Sequence, residues 1–268
     1  MGIFDKLFKK KSTVKPKQAY QPEWDFYFSN VDDKLSSIAV DLALNEIAPI
    51  ENQPNLVWVS IPMNNPRPDG LSSNEESTIL ADIEDAIADS LTNKLGATQC
   101  GRLTSNNFRD LYFFLGDSTL YDKAISDVMV AFPNYQYDYG IKEDPEWESY
   151  FNILYPLPTQ MQSILNRRVI DNLESHGDRL TKERPVFHWM YFKSDMDRNT
   201  LLESIKNDSF ETVNVSHDDS YEYPYGLQIS RVDKVDLKSV DEYVLKLWNL
   251  TNEAGGDYDG WETSIEKD

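Results

Sequence analysis

Cysteine is almost missing from this sequence: Cys100 is the single one in 268 residues, so no disulfide can form within the chain. That usage fits a reducing compartment and predicts a cytoplasmic protein. Histidine is nearly as scarce, with three, and no Cys/His cluster approaches the spacing of a structural zinc site. No apolar run nears the roughly 18 residues of a membrane-spanning helix. No secretory signal is readable either, because Lys9, Lys10 and Lys11 interrupt the only leader that might supply an apolar core. Gly-rich phosphate loops and a Gly-x-Ser-x-Gly elbow are both absent, which removes the usual support for nucleotide-binding and serine-hydrolase readings.

Positive charge is the other shortage. Lys and Arg number 26 against 46 Asp and Glu, a formal charge of −20. Residues 1–18 carry six Lys and Asp5, a local charge of +5, so the remainder carries −25. Residues 19–157 hold −16 of this and residues 158–268 hold −9. Such a body repels phosphate backbones and gains nothing from counterion release, so direct nucleic-acid binding is disfavoured and basic partners are attracted. What the chain does have is aromatic mass: 15 Tyr, 12 Phe and 6 Trp, enough to make burial worthwhile and to exclude a wholly disordered acidic chain.

In the leader, Ile3, Phe4, Leu7 and Phe8 fall at helical spacing among Lys6, Lys9, Lys10 and Lys11. A basic amphipathic helix touching an anionic membrane or a partner groove is one reading. Two turns bury little area, so a flexible basic leader over 1–18 is the preferred one.

From Trp24 the chain reads as three strands, Trp24–Phe28, Ser37–Leu42 and Leu56–Ile61. Ser72 with Glu75, or Ser73 with Glu76, forms a capping box ahead of a helix bearing Ile79, Ile83, Ile87 and Leu91 on one face, and Gly96 stops it. Strands at Thr98–Leu103 and Phe108–Leu115 flank the turn Ser105-Asn106-Asn107. A helix over 119–132, with Leu120, Ala124, Val128 and Ala131 on its stripe, precedes a strand at Tyr135–Ile141. The aromatic and Pro-rich stretch 143–158 marks the boundary between two units, 19–157 and 158–268.

Beyond it the pattern restarts. Thr159 with Gln162 reads as a capping box for a helix lined by Leu165, Val169 and Leu173. Then follow a strand (Val186–Phe192), a helix (Asp195–Lys206), strands at Phe210–Ser216 and Gly226–Val232, a helix (Asp236–Ala254) and a strand (Tyr258–Ile265). The fold class is therefore α+β: two sandwich units, the C-terminal one β-α-β-β-α-β and ferredoxin-like, the N-terminal one β-β-β-α-β-β-α-β. The halves show no residue-level repeat.

Few residues offer chemistry. His188 lies within an apolar strand and reads as a core residue; His176 sits beside a helix-stopping Gly, and His217 precedes an acidic turn. Cys100, in a predicted strand, reads as a small buried hydrophobe. Asp257, Asp259 and Glu262 crowd together in Gly256–Glu262, where oxygen ligands could hold Ca²⁺ or Mg²⁺, but the spacing fails the EF-hand pattern. A turn entering the last strand, with Gly260 supplying a permissive backbone, accounts for it better. Regular alternation would point Asp257, Asp259 and Trp261 to one side, where an exposed Trp flanked by acids suits an Arg- or Lys-bearing partner; a Trp capping the helix layer is the alternative.

The run Ala254-Gly255-Gly256-Asp257-Tyr258-Asp259-Gly260-Trp261-Glu262-Thr263, with its preceding helix and element order, resembles the regulator of ribonuclease E activity B family over about Thr159 to Lys267. Glu262 stands where that family commonly has Gly. Residues Gly101-Arg102-Leu103-Thr104, Asp144-Pro145-Glu146-Trp147 and Leu154-Tyr155-Pro156 resemble the bacterial domain-of-unknown-function family 695. The first resemblance implies a ferredoxin-like, acidic, cytoplasmic, non-enzymatic protein that binds an endoribonuclease and restrains RNA decay.

The leading expectation is thus a protein-binding regulator without cofactor. It would dock on a basic region of a ribonuclease or other RNA-processing protein through Asp257, Asp259, Trp261 and Glu262. The rivals are a metal-assisted hydrolase built on Asp257 and Asp259 with His188 or His217, and a membrane-associated adaptor using the leader.

Overall fold

A computed structural model describes residues 20–267. The expected basic leader, and any membrane contact through it, lies outside the described residues. The chain is α+β, with two separate antiparallel sheets, one of six strands and one of four. Contacts divide it into a unit through Gln160 and a unit from Met161.

In the N-terminal unit, β1 (Trp24–Val31) and β2 (Lys34–Asp41) form a hairpin whose turn residues Asp32 and Asp33 both have positive φ. That left-handed pair matches the twist of the strands it joins. Next come β3 (Asn55–Pro62), α1 (Asn74–Leu95), β4 (Thr98–Ser105), β5 (Phe108–Leu115), α2 (Tyr121–Met129) and β6 (Asp138–Glu143). Ser73 caps α1 by accepting from the Glu76 amide, and Gly96 ends it in the left-handed region, both as expected. Asn106 and Asn107 make a second hairpin turn at positive φ.

The sheet order β1-β2-β4-β5-β3-β6 is a four-stranded core, β4-β5-β3-β6, extended at β4 by the opening hairpin. Val57, Val59, Leu111 and Phe113 pack beneath Ile83, Ile87 and Leu91 of α1 and Ile125 of α2. Leu120 departs from its expected place: it precedes α2 at positive φ and is exposed. On the opposite face Phe114 stacks on Trp147, with ring centroids 3.9 Å apart. Trp147, Tyr150 and Leu154 are fully buried, so much of the stretch expected to mark a boundary is core of this unit. Its Tyr150–Leu154 segment is a single π-helical turn, tied down where Tyr150 Oη donates to the Asp41 carbonyl (2.8 Å).

The C-terminal unit runs α3 (Pro158–Ser175), β7 (Arg184–Phe192), α4 (Asp195–Ser204), β8 (Glu211–His217), β9 (Tyr225–Asp233), α5 (Leu237–Glu253) and β10 (Gly256–Thr263). Its sheet order, β10-β7-β9-β8, is the ferredoxin-like arrangement, and the N-terminal core β6-β3-β5-β4 repeats it. Ser194 caps α4 and Asp236 caps α5 through side-chain oxygens. Gln162 does not serve as a capping partner: it is buried and donates to Asn166 Oδ1 (3.2 Å). The buried face of α3 carries Ile164, Ile170 and Leu173, so the expected stripe holds only at Leu173 and, in part, Val169. Val186, Met190, Phe192, Leu227, Ile229, Tyr258 and Trp261 face this core, together with Leu201 from α4 and Val240, Val244 and Leu247 from α5.

Candidate functional site

Because this core lies on one side of the sheet, alternation sends the intervening residues of β7 to the other. Phe187, Trp189 and Tyr191 stand there, half-buried, between the buried Val186, His188, Met190 and Phe192. Cross-strand partners share a face. On one flank Glu262 is opposite Phe187, Gly260 opposite Trp189 and Asp257 opposite Tyr191. On the other flank are Ser230, Gln228 and Gly226 in the same order, and beyond Ser230 lies Glu211. A Cβ on Gly226 would come within 3.4 Å of the Tyr191 ring, so that ring covers bare backbone. The face of the sheet away from the helices carries an aromatic stripe with carboxylates along its β10 edge.

Asp259 is why this arrangement differs from regular alternation. The β10–β7 register shifts between Tyr258 and Gly260, making Asp259 the extra residue of a β-bulge. The shift returns Trp261 to the core side, beside Tyr258, while Asp257 and Glu262 remain on the face away from the helices. The expectation that Trp261 is exposed and shares a face with Asp257 is therefore corrected: Trp261 is 2% exposed and caps the helix layer. Its Nε1 donates to Asn166 Oδ1 (3.0 Å), and Asn166 Nδ2 donates to Asp241 Oδ1 (2.8 Å). The run Gly256–Glu262 is also strand from its first residue, not an entering turn. Gly260, at φ 143°, supplies the backbone freedom the bulge needs.

Asp257 is exposed, whereas Asp259 and Glu262 are half-buried. Burial, reinforced by the Asp257 carboxylate, pushes the Asp259 carboxyl up to about 6.

The catalytic alternatives do not assemble. His188 is buried on the core side, away from Asp257, with Nδ1 2.8 Å from Tyr258 Oη. Burial and Arg231 hold its imidazole down to about 3. His217 pairs with Asp219 (3.1 Å) and stacks on Tyr225, while His176 stays at its helix end beside Asn172. Cys100 is buried, its Sγ 3.4 Å from the Tyr112 carbonyl, and burial pushes its thiol up. Among the described residues no group of three or more His, Cys, Asp or Glu side chains is placed to hold a metal, and no helix is long and apolar enough to cross a membrane.

The aromatic stripe was missed in the sequence. Its signal was there: Val186–Phe192 is apolar or aromatic at every position but His188, more than a strand covered on one face requires.

The model of a family of unknown function (DUF695) matches residues 22–155, half of the chain. The model described as Regulator of ribonuclease activity B matches residues 163–263. No curated protein matches. Among solved structures, an unknown protein from Galdieria sulphuraria is 11% identical, covers 80% of this chain and 99% of its own, and has a TM-score of 0.21. A candidate glycine cleavage system transcriptional repressor is 9% identical, covers 78% of this chain and 98% of its own, and has a TM-score of 0.22. At such identities and scores neither bears on activity.

Proposed function

The chain belongs to the DUF695 family and its C-terminal unit matches the Regulator of ribonuclease activity B family, and from that premise we propose that it is a non-enzymatic regulator of an endoribonuclease. It would bind a basic region of an enzyme of the ribonuclease E type and so restrain RNA decay. The observation that supports this reading best is the family match over the unit that carries the acidic β10 edge. Asp257, Asp259 and Glu262 would receive the partner's cations, and Trp261 would act from beneath, by holding β10 against α3. The basic leader, the unit 19–157 and the unit 158–268 would be separate domains, with recognition residing in the last. A cytoplasmic location follows from such a partner.

The test is direct. Purified full-length protein, added in rising amounts to an endoribonuclease of this type with a labelled RNA, should slow cleavage without itself binding or cutting the RNA. Unchanged cleavage in low salt, together with no association in a tagged pull-down, would remove the reading.

A further inference from the structure

We propose that β8, at the edge of the four-stranded C-terminal sheet, takes up an extended basic segment of a partner protein as a further strand. Such an edge contact lies beyond the regulator reading, which would stand equally with a partner seated on β10 alone. Among the described residues, the order β10-β7-β9-β8 leaves one edge of β10 and one edge of β8 without a neighbouring strand. Every residue of β8, Glu211–His217, is exposed. Thr212 and Val215 lie opposite the buried Ile229 and Leu227 and are exposed themselves, so the helix layer stops short of this strand. Antiparallel pairing uses only alternate backbone groups for one neighbour, which leaves the others of β8 pointing away from β9. Among the described residues, the one side-chain hydrogen bond onto this backbone comes from Arg198, to the Ser216 carbonyl (3.3 Å).

The two edges of this sheet are defended differently. Charge, Lys, Pro and bulges are the usual means of keeping an edge strand from pairing. β10 carries Asp257, Asp259 and Glu262, whereas β8 has no Lys or Pro, a single carboxylate at its first residue, and β-branched Thr212, Val213 and Val215. Its register shift lies between Thr212 and Asn214 and leaves Asn214 through His217 regularly paired. Charge then selects the occupant. Residues 207–230 contain Asp208, Glu211, Asp218, Asp219 and Glu222 and no Lys or Arg. Lys246 pairs with Asp208 and His217 with Asp219, while Glu211 and Glu222 have no such partner among the described residues. These carboxylates flank both ends of a strand roughly 20 Å long, so an extended segment with cations at its two ends meets acid at each. Main-chain pairing supplies its affinity in between. A second copy of this chain would bring a further −20 to the same edge, and a nucleic acid offers neither peptide amides nor positive charge.

The experiment titrates the full chain, by fluorescence anisotropy, into the capped and labelled peptide Arg-Lys-Thr-Val-Thr-Val-Thr-Lys-Arg. One control is N-methylated at every central Thr and Val, which removes the donors at unchanged charge; the other has Glu in place of each Lys and Arg. The unmodified probe should bind about tenfold tighter than either control. On binding it should slow amide hydrogen exchange in residues 211–217 and leave residues 256–263 unchanged. Val213→Lys with Val215→Lys should cut its affinity by about tenfold, and Glu211→Gln with Glu222→Gln should weaken it about threefold. Circular dichroism establishes that each variant is folded; should the lysine variant not fold, the methylated probe and the exchange pattern decide on the parent chain. Equal affinity for the unmodified and methylated probes, or protection that falls on 256–263 instead, would overturn the proposal. So would a parent chain that forms a dimer which the lysine variant dissociates, because its own copy would then hold the edge. The ribonuclease assay separates the two readings. Slowed cleavage without probe discrimination overturns this edge and leaves the regulator standing. Discrimination without any effect on cleavage supports the edge and removes the ribonuclease as its partner.

Discussion

Asp259 carries an energetic cost when it is charged. Its carboxyl is raised to about 6, so the favourable contribution of its protonated form is complete below the ordinary value of 3.8 and is lost as pH rises through 6. Above that, the folded state holds a charge that the unfolded state solvates better. Asp259→Asn removes the charge, so the variant should be more stable than the parent by on the order of 1 kcal/mol near pH 8, solvent screening of the half-exposed group having been allowed for. Near pH 4 the two should converge. Urea unfolding at both pH values reads this; equal differences at the two would mean that Asp259 titrates normally. Asn166 is the converse case, a polar side chain whose loss should hurt. Fully buried, it accepts from Trp261 and donates to Asp241, so Asn166→Leu should cost about 2 to 3 kcal/mol through the groups it orphans, read as a lower urea midpoint at unchanged slope. No pattern in the sequence exposed Asn166, because a polar residue on the inner side of α3 looks like an interruption of the stripe. Its meaning appears only when Trp261 arrives from β10.

At the scale of elements, what was legible followed local chemistry. Ser73 begins α1 with a side-chain oxygen on a backbone amide, and Gly96 ends it at positive φ. These are interactions within a few residues, and a sequence displays them. What escaped depends on a partner strand. The bulge at Asp259 has no signature short of the β7 register, and it alone reverses which side Trp261 faces. The π-helical turn at Tyr150–Leu154 escaped likewise, since Trp147 is core only because Phe114 lies under it. The bulge yields a sharp prediction. Deleting Asp259 leaves Tyr258 and Trp261 on the core side and Gly260 outside, so the deletion should unfold within about 1 kcal/mol of the parent. Inserting one Ala between Gly260 and Trp261 instead turns Trp261 outward and should cost about 3 kcal/mol or more. Comparable damage from both changes, measured by thermal unfolding, would show that the register is not what places Trp261.

For the whole molecule, topology was readable where side-chain orientation was not. Element order implied a ferredoxin-like C-terminal unit and the same β-α-β-β-α-β order over residues 56–141 after the opening hairpin, and the sheets show the same 4-1-3-2 strand order twice without a residue-level repeat. Order and handed connections constrain strand arrangement strongly; they say little about which face the helices cover, and here all three helices of the C-terminal unit pack on one side. On the proposed regulator reading, charge and contact would divide the work of recognition by range. The −25 body would attract a basic partner over distances that salt screens beyond about 8 Å, whereas ring stacking would act only at contact. Raising salt from about 50 to 300 mM should therefore slow association with a basic ribonuclease segment by an order of magnitude or more while changing dissociation less than threefold. Trp189→Leu should do the opposite, speeding dissociation with little effect on association. Surface plasmon resonance with the partner immobilised resolves the two rates. A dissociation rate that climbs with salt as steeply as association falls would mean that the contact is ionic throughout and that the aromatic stripe takes no part in it.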